Sequence, residues 1–265
     1  MNIFLYELKA IRKSTLIWII SLVALLVLFM SLFPSFSKDM ESVNELLGGF
    51  PEPVRNALGI ELDTFGSLLG YYSYAFTYLT LCGAIQAMYL GTNILSKETR
   101  EKTADFLFTK PVTRVQILFS KIMAGVVSLL ITNLVYLGVG SATLAIVNTK
   151  SFDTGVFLLM SLTLLFIQLI FLAIGLIVSM LMPKIKSVIS VSLGTVFAFY
   201  LIGMLASTGE DEAKRYFSPF KYFDSRYIVE HSKYEIPFLV AGVTIILISV
   251  TATFYIYRKK DIHTV

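Results

Sequence analysis

The sequence predicts an all-α membrane protein with six transmembrane helices, both termini in the cytoplasm, an amphipathic N-terminal interfacial helix, and a cytoplasmic helix between spans 2 and 3. The first reason is that only 40 of the 265 residues are charged, and six runs of 22 to 33 residues carry no charge at all. A helix rises about 1.5 Å per residue, so about 20 residues cross a hydrocarbon core about 30 Å thick. Each run is long enough for one crossing, and none reaches the roughly 40 residues of two crossings.

The distribution of basic residues is the second reason, because cytoplasmic loops are enriched in Lys and Arg. If the chain crosses six times, 14 of the 22 basic residues lie on the side of both termini, whereas the acidic residues favour the other side. The formal charge is then +9 on the first side and −5 on the second. We therefore place both termini in the cytoplasm. We attribute the net positive charge of the chain to membrane topology rather than to nucleic-acid binding.

The predicted elements follow one another as a single transmembrane domain. Residues 1–13 are expected to form the interfacial helix, with Leu8 and Ile11 on its apolar side and Glu7 elsewhere on its surface. The six spans are predicted at about 14–34, 68–95, 122–147, 154–182, 187–207 and 237–257. The larger connections are a cytoplasmic loop at 96–121 and outer loops at 35–67 and 208–236.

The 96–121 segment is the most informative part of the sequence. Its first half predicts a short charged helix with an apolar tip, and Pro111 then disfavours helical backbone at the residue before it. Thr113 followed by Gln116 is the pattern of a capping box, which predicts a new helix start. Binding to anionic lipid accounts for the basic residues of this segment. Docking of another protein accounts for the interleaved acids as well, so both interpretations stay open on composition.

This segment resembles the signature of permease subunits of type-two ABC exporters, in which an acid, a small residue and a Thr, a Leu, and a Pro-Val-Ser/Thr-Arg run precede a Lys before the third span. The matching residues are Glu98 or Glu101, Lys102-Thr103, Leu107, Pro111-Val112-Thr113-Arg114 and Lys121. Lys102 departs from the pattern, because the family often has Gly there. The aromatic 219–224 segment, the amphipathic N-terminal helix and the basic 257–261 segment are also similar to that family, so the resemblance covers nearly the whole chain.

In that family the corresponding loop carries a coupling helix that contacts a separate ATP-binding subunit. The contact residues that the resemblance implies here are Glu98, Glu101, Lys102, Thr103, Asp105, Pro111, Thr113 and Arg114. It also implies two copies of an ABC ATP-binding subunit as partners, together with a second permease chain in a homodimer or a similar heterodimer. ATP and Mg would be bound by the partner subunit, and this chain is expected to hold no cofactor or metal of its own.

The sequence contains no nucleotide-binding motif of the Gly-x4-Gly-Lys-Ser/Thr type, so this chain is not expected to be an enzyme. The uncharged runs also lack the carboxylates of an ion relay.

Amide side chains within the spans remain as candidates for a substrate path, although buried amides more often join helices. These candidates are Gln86, Asn93, Asn133 and Gln168. Small residues at 66, 70, 83, 87 and 91 mark a candidate face for close helix packing or a homodimer.

The leading hypothesis is a membrane-spanning permease subunit of an ATP-driven ABC exporter, located in a plasma membrane and of bacterial type. It would form the substrate pathway and couple to the ATP-binding subunit through residues 97–114. The alternative is a non-transporting integral-membrane scaffold or sensor subunit, which predicts no ATPase partner. An ion-coupled carrier is disfavoured, because all seven prolines lie outside the cores of the spans. The transported substrate does not follow from these residues.

Overall fold

The computed structural model describes residues 3–100, 112–147, 153–182, 184–208 and 212–259, apart from the side chains at 98 and 99. Every regular element within these residues is helical. The α-helices are α1 (Ile3–Lys38), α2 (Met40–Gly48), α3 (Glu52–Leu58), α4 (Leu62–Phe65), α5 (Leu68–Arg100), α6 (Arg114–Val147), α7 (Thr154–Leu181), α8 (Val188–Ala206), α9 (Ser225–His231) and α10 (Ile236–Lys259). Short 3-10 segments at Glu212–Phe217 and Pro219–Lys221 lie between α8 and α9.

Five of the described helices, α1, α6, α7, α8 and α10, are long and apolar enough to cross a membrane. The chain is therefore a multi-pass membrane protein. The predicted limits of the last three spans agree with α7, α8 and α10 to within two residues. The remaining long helix, α5, covers the expected second span, but it is less apolar because Gln86, Asn93 and several Thr and Tyr residues lie along it. At about 1.5 Å per residue its 33 residues extend about 50 Å.

The long helices alternate in direction, which gives the bundle two ends. We call the end where α5 stops at Arg100 and α6 begins at Arg114 the loop end, and the end that carries α2, α3 and α4 the cap end. Lys121 near the start of α6 donates to Glu7 near the start of α1. Arg114 Nη1 donates to the backbone oxygen of Arg258 in α10 (3.4 Å). The start of α1 and the finish of α10 therefore both lie at the loop end.

The predicted interfacial helix over 1–13 is not a separate element, because α1 runs without interruption from Ile3 to Lys38. Neither Gly nor Pro occurs in α1 before Pro34, so nothing in this part of the backbone favours a break. The Thr15 hydroxyl also donates to the carbonyl of Ile11 across the expected junction (3.1 Å). The first helix is therefore one continuous rod from the loop end to the cap end.

The expected outer loops contain more regular structure than the sequence predicts. The helices α2, α3 and α4 occupy most of 35–67, and the 3-10 segments and α9 occupy much of 208–236. Asp224 starts α9 as its N-cap, since its carboxylate accepts hydrogen bonds from the amides of Arg226 (2.8 Å) and Tyr227 (3.4 Å). The side chains of Tyr222 and Phe223 are buried. These segments form a packed cap over the helix ends.

The start of α6 agrees with the sequence prediction. The amide of Gln116 donates to the Thr113 hydroxyl (3.2 Å), and the amide of Thr113 donates to Gln116 Oε1 (3.1 Å). This reciprocal pair is the predicted capping box, which is thereby confirmed. It fixes the point at which the chain enters α6.

Close packing of α5 against α7 depends on two glycines that face each other. A Cβ atom built on Gly91 would lie 2.4 Å from the carbonyl oxygen of Leu172. A Cβ atom built on Gly175 would lie 2.7 Å from the carbonyl oxygen of Met88. Backbone atoms cannot move aside as a flexible side chain can, so only glycine fits at this crossing.

The small-residue face of α5 is used within the chain, which corrects its interpretation as a candidate homodimer face. Gly83 faces Leu164 of α7, and Ala87 between the two glycines is fully buried. Gly70 lies against the backbone of Thr64 in α4. Small residues permit two helix backbones to approach, and here both partners belong to the same molecule.

We expect Gly91→Ala to destabilise the fold by about 1–3 kcal/mol, because it forces a methyl group into the backbone of α7. Gly138→Ala in α6 is the matched control, since a Cβ atom there has no neighbour within 4 Å. Alanine has the higher helix propensity, so the control should be neutral or slightly stabilising. Unfolding of the purified variants by SDS titration, followed by circular dichroism, measures both changes. Equal effects of the two substitutions would contradict the crossing.

Candidate functional site

A buried ion pair joins three helices at the loop end. Lys121 Nζ of α6 lies 2.8 Å from Glu7 Oε1 of α1, and it also donates to the backbone oxygen of Ile94 in α5 (3.2 Å). Lys121 is fully buried and Glu7 is 4% exposed. The sequence prediction had placed Glu7 away from the apolar side of an interfacial helix, so its burial is a correction. The pair links the start of α1 to both helices that flank the 101–111 segment.

The cost of burying charge explains why such a link constrains the structure. Moving an isolated ion out of water costs several kcal/mol, and only a close partner with further hydrogen bonds offsets that cost. Lys121 has both a carboxylate and a carbonyl within reach. Separating α1 from α6 here would leave two uncompensated charges. The pair therefore fixes how α1 and α6 are aligned along each other at the loop end.

The residues expected to contact an ATP-binding subunit are only partly described. Thr113 forms the capping box, and Arg114 follows it at the start of α6, where its guanidinium reaches α10. Residue Glu98 lies in the last turn of α5, without a described side chain. The predicted contacts Glu101, Lys102, Thr103, Asp105 and Pro111 lie outside the described residues. The predicted contacts thus begin at the end of α5 and finish at the start of α6.

Three of the four predicted path residues meet in one hydrogen-bonded network in the interior of the bundle. Gln168 of α7 donates to Gln86 of α5 (3.0 Å), and Gln86 donates to the Thr132 hydroxyl of α6 (3.0 Å). Asn133 of α6 donates to Gln168 Oε1. Gln86 and Gln168 are buried. The network joins α5, α6 and α7. It continues to α1 because the Thr132 hydroxyl donates to the carbonyl of Ser128 (3.0 Å), and the Ser128 hydroxyl contacts that of Thr15 (2.6 Å between oxygens).

The fourth candidate, Asn93, lies apart from this network. Its Oδ1 accepts a hydrogen bond from Arg100 Nη2 (2.8 Å), two turns further along the same face of α5. Because this bond lies near the end of α5, Asn93 belongs to the loop end. The assignment of the four residues to a substrate path remains a prediction, and their bonds in this conformation are those of side chains that join helices.

A second buried polar cluster lies closer to the cap end. The Tyr72 hydroxyl of α5 contacts the hydroxyls of Tyr136 in α6 (2.7 Å) and Ser161 in α7 (3.0 Å). All three side chains are buried. Buried hydroxyls require partners, so this cluster and the amide network place two polar contacts at different depths between the same three helices.

A cavity of about 310 Å³ opens at the cap end among α5, α7, α8 and the segments that cover them. Its charged lining includes Glu61, Arg215, Lys221 and Asp224. Burial raises the pKa of the Glu61 carboxyl, and the negative charge of Asp224 raises it further. Burial lowers the pKa of the Lys221 ammonium, which Asp224 partly opposes. The cavity is thus a polar site in which two opposite charges are partly withdrawn from water.

Sequence reasoning missed the pairing of Lys121 with Glu7, although it singled out Lys121 as part of the signature. Lys121 directly precedes an uncharged run, and Glu7 lies in the charged segment before the first run, so charge counting assigned both to the membrane surface. The available signal was the position of Glu7 four residues before Ile11 on one helix face, since residues at this spacing lie side by side. The cap-end cavity had no comparable signal, because its lining comes from segments far apart in the chain.

The helices, their apolar length and the buried polar contacts between them define a multi-pass α-helical membrane protein. The model of a family described as ABC-2 family transporter protein matches residues 1–262. The chain therefore belongs to the ABC-2 transporter family and is a membrane component of transport. No curated protein matches the chain.

We expect Lys121→Met to destabilise the protein by about 3–5 kcal/mol, because it leaves Glu7 buried without its cation. The double variant Lys121→Met with Glu7→Leu should recover most of this loss, since replacing a buried pair by apolar side chains is often neutral. SDS unfolding of both proteins measures the difference.

The exposed pair of Arg226 with Glu230 provides the control for this prediction. Substitution Glu230→Gln should cost less than about 1 kcal/mol, as is typical of ion pairs in water. If Lys121→Met is as mild as Glu230→Gln, the buried pair does not hold the loop end together.

Proposed function

We propose that this chain is the membrane-spanning permease subunit of an ATP-driven ABC exporter. It forms the substrate pathway, and a separate ATP-binding subunit docks on residues 97–114. Two ATP-binding subunits and a second permease chain, identical or similar, complete the transporter. ATP and Mg are bound by the ATP-binding subunits. The complex lies in a plasma membrane of bacterial type with the loop end in the cytoplasm.

The observation that carries this proposal is the anchoring of the loop end in a chain of the ABC-2 transporter family. The helices α5 and α6, which flank residues 101–111, are tied to the rest of the bundle near their loop-end turns by two sets of contacts. These are the bond from Arg114 to α10, and the Lys121–Glu7 pair with the Ile94 carbonyl. The capping box fixes the start of α6 itself. A force applied at the adjoining ends of α5 and α6 is therefore passed to the helices that these contacts join.

Six membrane crossings are part of the proposal, with α5 as the second. Its length of 33 residues is sufficient, and its buried polar side chains Tyr72 and Gln86 face partners in α6 and α7. A helix whose polar groups are satisfied inside the bundle does not need to be apolar on all sides. An even number of crossings also agrees with the position of both described chain ends at the loop end, and basic loops then face the cytoplasm.

The proposed mechanism is a rigid-body movement of a frame made of α1, α5 and α6. Closure of the ATP-binding subunits would push the 97–114 segment, and the buried pair would make α1 follow α5 and α6. The amide network and the Tyr72 cluster join the frame to α7, so α7 either moves with it or breaks these bonds. Switching between packed arrangements of this kind is a known route from a local event to domain movement.

The coupling assignment predicts a defect in partner binding when the 97–114 segment is altered. The double variant Glu98→Ala with Arg114→Ala should bind the ATP-binding subunit at least about tenfold more weakly, because truncating an interface hot spot costs about 2 kcal/mol or more. Affinity is measured between the purified permease and the ATP-binding subunit that co-purifies with it, and ATP hydrolysis by the complex is measured alongside.

The matched control is Lys38→Ala with Glu41→Ala, which also removes one basic and one acidic residue. Both residues are exposed at the cap end. This control should leave assembly and ATP hydrolysis unchanged. The coupling assignment is wrong if the loop-end double variant assembles and hydrolyses ATP normally. The alternative of a scaffold or sensor subunit predicts that no ATP-binding subunit co-purifies at all.

A further inference from the structure

The cap-end cavity contains two opposite charges that lack ion-pair partners within the described residues. Lys221 Nζ makes no hydrogen bond or ion pair there, and the Glu61 carboxylate accepts only one bond, from the Thr64 hydroxyl (3.3 Å). The neighbouring cations are already occupied, since Arg215 pairs with Glu235 and Arg226 pairs with Glu230. A charge that is partly withdrawn from water and unpaired favours a ligand of opposite charge.

Lys221 and Glu61 both line the cavity, and they come from segments far apart in the chain. Lys221 is influenced by Asp224 and Arg215, whereas Glu61 is influenced by Asp224, Arg226 and Glu230. Asp224 is thus the shared neighbour of both, and its carboxylate is engaged in capping α9. The wall therefore offers both an ammonium and a carboxylate, which suits a ligand that carries an anionic and a cationic group.

An apolar groove of about 270 Å³ adjoins this polar cavity. Its lining comes from the cap-end half of α1 and from α2, α4 and α5: Phe29, Leu32, Phe36, Val43, Leu46, Leu47, Phe65, Tyr71 and Tyr74, with Ile60. Ile60 lines both the groove and the polar cavity. The two spaces are therefore neighbours, and their polar and apolar linings match the two ends of a molecule with a zwitterionic head and an apolar tail.

We propose that the cap end binds a zwitterionic lipid of the phosphoethanolamine type. The phosphate lies toward Lys221, the ammonium lies toward Glu61, and an acyl chain lies in the groove beyond Ile60. This site goes beyond the transport assignment, because it requires neither ATP nor an ATP-binding subunit. Binding is measured on the permease chain alone, so the two proposals can fail independently.

The test is calorimetric titration of the purified full chain with three probes. These are dihexanoyl-phosphatidylethanolamine, the free headgroup glycerophosphoethanolamine, and the anionic lipid dihexanoyl-phosphatidylglycerol. We expect the first to bind at least tenfold more tightly than either of the others. Lys221→Met and Glu61→Gln should each weaken its binding by tenfold or more. Each substitution removes a partly desolvated charge, so folding should persist, which a melting curve of each variant checks.

The matched controls are Lys214→Met and Glu52→Gln, which alter exposed residues outside the cavity lining. They should change the dissociation constant by less than twofold. Equal binding of the free headgroup would overturn the role of the groove and the lipid assignment. Equal binding of the anionic lipid, with no effect of Glu61→Gln, would overturn zwitterion recognition. Absence of binding by all three probes, or equal effects of cavity and control variants, would overturn the site.

Discussion

The loop end of this structure depends on one constraint, the burial of the Lys121 ammonium between α1, α5 and α6. A cation without access to water is stable only beside a fixed anion and further acceptors, and Glu7 with the carbonyl of Ile94 supplies them. This requirement brings the beginning of α1 against the helices that flank the 101–111 segment. It also explains why α1 continues straight from its amphipathic start into its apolar part, since a helix lying flat on the membrane would carry Glu7 away from Lys121.

The rest of the bundle combines tight apolar packing with a few satisfied polar contacts. Water is absent from a hydrocarbon core, so apolar surfaces alone give helices little reason to associate there. Close approach of α5 and α7 at Gly91 and Gly175 gains dispersion contacts, and the amide and tyrosine clusters specify which faces meet. The proposed frame of α1, α5 and α6 follows from this arrangement, because its members share the buried ion pair and the amide network also reaches all three.

Much of the fold is predictable from the sequence because a bilayer imposes a simple rule of length and charge. The limits of α7, α8 and α10 followed from the uncharged runs, and the capping box at Thr113 followed from a local pattern. The continuity of α1 was not predictable, since basic residues before an apolar run suit both a flat helix and an inserted one. The intramolecular use of the glycine face and the cap-end cavity depend on contacts between distant segments, which periodicity does not encode. The family resemblance seen in the 96–121 segment is confirmed by the match over nearly the whole chain.

The most direct test of the rigid frame is a disulfide between α1 and α6. The hydroxyl oxygens of Thr15 and Ser128 lie 2.6 Å apart, so Thr15→Cys with Ser128→Cys, in a Cys82→Ser background, should form a disulfide on oxidation. The measurement is ATP hydrolysis by the assembled complex before and after oxidation. If α1 and α6 move as one body, the oxidised complex hydrolyses ATP at a rate within twofold of the reduced complex. A loss of hydrolysis on oxidation that reducing agent restores would show that α1 must separate from α6 during the cycle, and would contradict the account.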